Sequence, residues 1–130
     1  MPHPRELTSH QAPALLVEEL LEAAASGLAG RTRLRAAPLD LLQLTEGCAQ
    51  SVAVLMGWHG RSAGAGGLAR GMLVGVKDAA LHGRTQAGET LEVSLTCAHQ
   101  LPPFAIWQAE VTAGDGRPVM RVEVKTMALP

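Results

Sequence analysis

The stretch LDLLQLTEGCAQSVAVLMGW, residues 39–58, decides the fold. Pro38 ahead of it suits a helix start, because its missing amide is a donor that a first turn leaves unpaired anyway, and Asp40 is favourable in the first turn against the positive end of the helix dipole. Wound at about 100° per residue, Leu41, Leu42, Leu44, Cys48, Ala49, Val52, Ala53, Leu55 and Met56 cover roughly half the circumference, a wider stripe than a surface helix needs. The remaining arc holds Gln43, Gly47, Gln50, Ser51 and Val54, with Asp40 and Glu46 at its margins. From Leu41 to Trp58 the only formal charge is Glu46, where a solvated face would carry several. The pattern predicts one long helix covered on most sides.

The chain that follows can supply the cover. Leu91, Val93, Leu95 and Cys97 alternate with Glu92, Ser94 and Thr96, the period of two of a strand with one buried face. Met72 to Leu81 is strand-like, Phe104 to about Thr112 is a further strand, and Asp115-Gly116 is a hairpin turn into the alternation of Met120, Val122 and Val124 with Arg121, Glu123 and Lys125. Pro102-Pro103 lacks amide donors, so it marks a bend, a bulge or an edge. Upstream, Ala14 to Ala25 fits an amphipathic helix or a strand equally well. Gly27 and Gly30 punctuate it, and Arg31 to Arg35 alternates as a short strand. Arg61 to Arg70, rich in Gly and Ala, reads as a loop and lacks the Lys-Ser/Thr ending of a phosphate-binding loop. Strand, one long helix and a run of antiparallel strands make an α+β fold, a sheet wrapped around one central helix, whose free edges favour dimerisation.

At 130 residues the chain is one domain, 1–130, and its 47% hydrophobic content with 18% charge describes a globular protein that can build a core. With two Trp, one Phe and no Tyr, that core is Leu, Val, Ala and Met, and phenol-based chemistry is excluded. A net charge of −1 gives no general attraction to nucleic acid; the row Arg31, Arg33, Arg35 reads as a solvated edge-strand face. Cys48 and Cys97 lack the paired spacing of a zinc site or disulfide framework and read as small core residues in a reducing cytoplasm. Met1 to His10 carries prolines and charges where a secretory signal needs an apolar run, and nothing approaches a membrane span. The expectation is a cytoplasmic protein without cofactor. His59, His82 and His99 fall in no metal-ligand spacing, so each is assigned to the surface or to local hydrogen bonding, and no metal is implied.

Three segments match a known pattern. Leu73-Val74-Gly75-Val76-Lys77-Asp78-Ala79-Ala80-Leu81, followed by Gln86-Ala87-Gly88-Glu89-Thr90-Leu91, resembles the central strand and turn of 3-hydroxyacyl carrier-protein dehydratases. Ser9-His10-Gln11-Ala12-Pro13-Ala14-Leu15-Leu16-Val17 is similar to that family's Pro-His-Arg-x-Pro-Phe-Leu-Leu-Val segment, and Thr45-Glu46-Gly47-Cys48-Ala49-Gln50 to its helix segment Glu-Ala-Met-Ala-Gln. Gly57-Trp58 resembles the branch associated with aryl-polyene biosynthesis. The pieces are short, and they occur in the family's order.

The resemblance implies the hot-dog fold, a homodimer or a heterodimer with a related hot-dog protein, and sites at the dimer interface. It implies elimination of water from a 3-hydroxyacyl thioester carried on acyl carrier protein or coenzyme A. In that family a His removes the α-proton while an acidic helix residue handles the leaving hydroxyl, and backbone donors such as a helix N-terminus stabilise the enolate oxygen. Glu46 matches the acidic position. The usual Gly-His-Phe-Pro segment is replaced by Arg35-Ala36-Ala37-Pro38, which leaves His10 as the candidate base or the site degenerate. Gln50 is a candidate substrate donor, and Val74, Gly75 and Val76 are candidate linings of an acyl tunnel. Trp58 reads as a core or dimer contact. A non-catalytic subunit pairing with an active dehydratase, and a thioesterase using Glu46 or Asp40, remain open alternatives.

Overall fold

The computed structural model describes residue 4, residues 15–62 and residues 71–128. The elements run β1 (Val17–Ala23), β2 (Ala29–Leu34), α1 (Leu41–Ser62), β3 (Gly71–Leu81), β4 (Leu91–Leu101), β5 (Phe104–Ala113) and β6 (Pro118–Ala128). All six strands join one sheet in the order β1-β2-β4-β5-β6-β3, with every neighbouring pair antiparallel. α1 leaves β2 near one edge and delivers the chain to β3 at the other, touching every strand on the way. This is the hot-dog arrangement, a sheet curved around one helix.

The meander β4-β5-β6 follows the period of two. Its inward side chains stack in rows across three strands: Val93, Val111 and Met120; Leu95, Ala109 and Val122; and half-buried Cys97 with buried Trp107 and Val124. Trp107 spends its indole donor inside the sheet, on Thr126 Oγ1 at 3.3 Å. Pro102-Pro103 forms the link of the β4-β5 hairpin, closing Leu101 onto Phe104 outside the ladder, as proline's missing donor requires. In the β5-β6 turn Gly116 takes φ 87°, a left-handed conformation, and Asp115 Oδ1 accepts the Arg117 amide at 3.0 Å.

The ambiguous segment Ala14 to Ala25 is strand. Register shifts between Val17 and Glu19 and between Leu20 and Glu22 break its alternation, so buried Val17 and Leu20 stand three residues apart, a spacing that mimics a helix. The reading of Arg31, Arg33 and Arg35 as an edge-strand face is corrected: β2 lies inside the sheet between β1 and β4. Arg31 bridges Glu22 on β1 at 2.9 Å and Glu92 on β4 at 3.1 Å, and Arg33 reaches Glu19 at 3.2 Å. Glu22 and Glu92 raise the Arg31 pKa, the hydrogen bond to Glu22 foremost. Arg35 follows the end of β2.

α1 begins later and ends later than expected. Asp40 is its cap, not part of its first turn: Asp40 Oδ1 accepts the Gln43 amide at 2.7 Å, and Gln43 Oε1 accepts the Asp40 amide at 3.0 Å, a reciprocal pair that satisfies two orphan donors. Pro38 precedes the helix, which runs on through Ser62 into the stretch read as loop; residues 63–70 lie outside the described residues.

The buried side of α1 is also rotated from the expected stripe. Leu44, Cys48, Val52 and Leu55 are buried, and so are Gly47, Gln50, Ser51 and Val54 from the arc outside the apolar stripe, in keeping with a helix covered on most sides, whereas Leu42 of the stripe is 76% exposed. The polar members bring their own partners. Ser51 Oγ donates to the Gly47 carbonyl at 2.7 Å and meets Thr32 Oγ1 at 2.6 Å. Gly47 seats the helix on β2: a Cβ there would lie 2.9 Å from Leu34 Cδ1.

Candidate active site

Glu46 lies in the second turn of α1 with Gln50 one turn further on. An i to i+4 step places both on one side of the helix. Gln50 is fully buried and faces two ways: its Oε1 accepts the Leu16 amide at 2.7 Å, and its Nε2 donates toward Glu46 Oε1 at 3.5 Å. The carboxamide thus links the carboxylate of α1 to the chain entering β1. Sequence reasoning named Gln50 as a substrate donor and missed its hold on Leu16, since a side-chain acceptor aimed at a backbone amide 34 residues away has no sequence signature.

Glu46 is exposed, so this chain's own sheet does not supply the apolar cover expected at its position. Its neighbours on the open arc are Leu42, half-buried Ala49 and half-buried Ala53. Two shallow depressions lie on β1, β2 and β4, one bounded by Leu21, Arg31 and Ser94 and the other by Glu18, Arg33 and Thr90; neither lining includes Glu46.

Val74, Gly75 and Val76 lie on β3, the edge strand next to β6. A Cβ at Gly75 would meet nothing within 4 Å, and Val76 is 41% exposed. His10 lies outside the described residues. The structure therefore brings Glu46 and Gln50 together on α1 and sets the tunnel candidates on a different element.

Other titratable groups have plain surroundings. Asp40, one of the two carboxylates considered for thioester hydrolysis, is engaged in capping α1. Burial pushes the Cys48 thiol up to about 12, and desolvation also raises half-buried Cys97, which donates to the His99 carbonyl at 3.4 Å. The His59 ring covers Gly27 in the β1-β2 turn, with its buried Nδ1 lacking a hydrogen-bond partner among the described residues. His82 and His99 are exposed. Among the described residues no cluster of three His, Cys, Asp or Glu side chains could hold a metal ion, and no helix is long and apolar enough to cross a membrane.

Comparisons with known proteins agree with this layout. The chain superposes on a protein of the dehydratase heterocomplex ApeI:P from Xenorhabdus doucetiae with TM-score 0.83 and 17% identity, covering 100% of this chain and 93% of that one. A hypothetical thioesterase with coenzyme A from Streptococcus pneumoniae matches with TM-score 0.64 and 12% identity over 87% of this chain and 84% of that one. The PaaI protein of the E. coli phenylacetic acid degradation operon gives TM-score 0.65 and 11% identity over 84% and 81%. At these identities the likeness establishes the fold. No curated protein matches in sequence. The profile of the ApeP-like family, described as ApeP dehydratase, matches residues 2–129, and the chain belongs to that family.

Proposed function

We propose that this protein dehydrates a 3-hydroxyacyl thioester carried on acyl carrier protein or coenzyme A, in a site shared between two hot-dog chains. The observation that carries the reading is Glu46: a carboxylate on the open arc of α1, in hydrogen-bond range of a buried Gln50. In the proposed step His10 takes the α-proton and the electron pair forms the new carbon-carbon double bond. The C3–O bond breaks as Glu46, in its acid form, gives its proton to the departing hydroxyl, releasing water and the enoyl thioester. His10 precedes Leu16 by six residues, a reach of at most about 20 Å from the amide that Gln50 holds. Val74, Gly75 and Val76 line the acyl chain's path on β3. The two free thiols and the apolar core suit a cytoplasmic protein.

The test is direct conversion of a 3-hydroxyacyl thioester by the purified chain, followed by absorbance of the conjugated product. Elimination supports the reading. Release of free thiol without elimination would replace it with thioester hydrolysis.

One observation favours a second reading. The Xenorhabdus match belongs to a heterocomplex, and this chain has Arg35-Ala36-Ala37-Pro38 in place of the His-bearing Gly-His-Phe-Pro segment that the resemblance to 3-hydroxyacyl carrier-protein dehydratases implies. On that reading the chain is a subunit that completes an active hot-dog partner. A folded chain that eliminates water only when mixed with such a partner would establish it.

A further inference from the structure

We propose that the tip of the β4-β5 hairpin seats this protein peripherally on an anionic lipid surface, with Leu101, Pro102, Pro103 and Phe104 entering the headgroup layer and Lys125 meeting the lipid phosphates. The contact is separate from the dehydratase reading, since it uses the face of the sheet turned away from α1.

The outward face of the meander is layered along its strands. Near the middle of the sheet the cross-strand rows are polar: Ser94, Glu110 and Arg121 stand side by side, followed by Thr96, Gln108 and Glu123. The next row is His99, Ile106 and Lys125. The last is Leu101, Phe104 and Met127. Two residues along β5 separate neighbouring rows, about 7 Å. Rows with carboxylates thus give way to a row with a lysine, and that row to apolar side chains alone. Residues 97–107 and 124–128, which build this end of the meander, include no Asp or Glu.

The apolar end also projects. β2 pairs with β4 only as far as Thr96, so among the described residues β4 continues through 98–101 without a strand neighbour on that side. Leu101 is 66% exposed, and Pro102 and Pro103 beside it are exposed as well. Phe104 and Met127 are half-buried, and the Lys125 ammonium lies 4.7 Å from the centre of the Phe104 ring, which ties the cation to the apolar row. A sheet face that meets only water keeps its outward positions polar. This one does so everywhere except at its tip.

A lipid surface has the same layering: acyl boundary, phosphates, then water. An apolar face lying in that interface reaches about 5–10 Å into the boundary between headgroups and acyl chains, which matches the step from the Lys125 row to the Leu101 row. A lysine near an anionic leaflet adds attraction, and the absence of carboxylates removes repulsion. The two prolines suit the position because they lack amide donors, so the tip enters a poorly hydrated layer with fewer backbone groups to satisfy. An acidic protein partner would call for cations spread across a contact area. Here the lysine stands one level behind a protruding apolar tip.

Cosedimentation of the full chain is measured with vesicles of phosphatidylglycerol and phosphatidylcholine in equal parts, and with vesicles of phosphatidylcholine alone. Binding to the mixed vesicles is expected, weakened at least about five-fold on the neutral ones or in high salt. Leu101→Asp, at an exposed position, is expected to lower the partition coefficient at least about ten-fold, and Lys125→Gln about five-fold. Arg121→Gln removes the same charge two rows back, beyond the screening length, and is expected to change binding less than about two-fold. No sedimentation with the mixed vesicles overturns the proposal, and so does binding that Leu101→Asp leaves intact. Self-association that Leu101→Asp abolishes, in a chain that ignores vesicles, overturns it in favour of a protein contact. Should Leu101→Asp fail to fold, hydrogen exchange on the unaltered chain decides: slower exchange of amides 98–101 with mixed vesicles supports the contact, and unchanged exchange there overturns it. Turnover enters none of these readouts, so the dehydratase reading stands or falls separately.

Discussion

Gln50 Oε1 accepts the Leu16 amide at 2.7 Å, and both residues are buried. One helix side chain thereby fixes the entry of the chain into the sheet. Replacing Gln50 by Met keeps the volume but strands a buried amide, so the expected cost is about 1–3 kcal/mol, read as a lower urea midpoint at unchanged slope. Gln50→Glu retains an acceptor for Leu16 while placing a second carboxylate beside Glu46. It is expected to keep more of the stability than Gln50→Met.

Glu46→Gln separates chemistry from folding. An exposed helix position away from packing contributes within about 0.5 kcal/mol, so the thermal midpoint is expected to hold. If Glu46 protonates the leaving hydroxyl, kcat for elimination falls by about 10²–10⁴ with KM little changed. Equal turnover in the two proteins would remove Glu46 from the mechanism.

Gly27 and His59 form a matched pair. Gly27 has φ 73°, and a Cβ on it would lie 2.4 Å from the His59 ring. Gly27→Ala is expected to cost about 2–4 kcal/mol, combining left-handed strain with displacement of the ring. Adding His59→Ala removes the clash and leaves the backbone term, so the double variant should be less destabilised than the sum of the singles. A double-mutant cycle in urea measures that difference.

Alkaline pH should weaken the fold through Cys48. Its thiol ionises near 9 when unfolded and near 12 when buried in the folded chain. Between those values the unfolded state has lost a proton that the folded state keeps, so the linkage slope is negative. Stability then falls with rising pH by about 1.4 kcal/mol per unit from this group. Below pH 9 the group is neutral in both states and contributes no pH dependence. Cys48→Ala should remove this component, seen as a shallower decline of urea stability between pH 9 and 11; no Tyr is present to titrate in that window.

The meander was legible because Val93, Val111, Val122 and their neighbours obey a strict alternation, and a period of two has one structural meaning in segments of that length. The long helix was legible for its near absence of charge. Which side is most deeply buried was less so, because only the partners Leu16 and Thr32 show how the polar Gln50 and Ser51 are satisfied there. β1 was ambiguous because its two register shifts make the burial period three. The placement of β3 at the far edge depends on which way the α1 crossover runs, and no local pattern encodes that. Glu46 was proposed from its family match and its place on the helix margin, and the structure sets it one helical turn from Gln50. His10, proposed from the same match, lies outside the described residues.

The scarcity of aromatic residues turns the protein into its own optical instrument. Trp107 is buried in the middle of the sheet with its indole donor spent on Thr126, while half-buried Trp58 sits toward the end of α1. With no Tyr emission underneath, intrinsic fluorescence resolves into a blue, quencher-shielded component from the sheet and a redder, quencher-accessible one from the helix. Loosening of α1 and melting of the sheet can then be timed separately in the unlabelled wild-type chain.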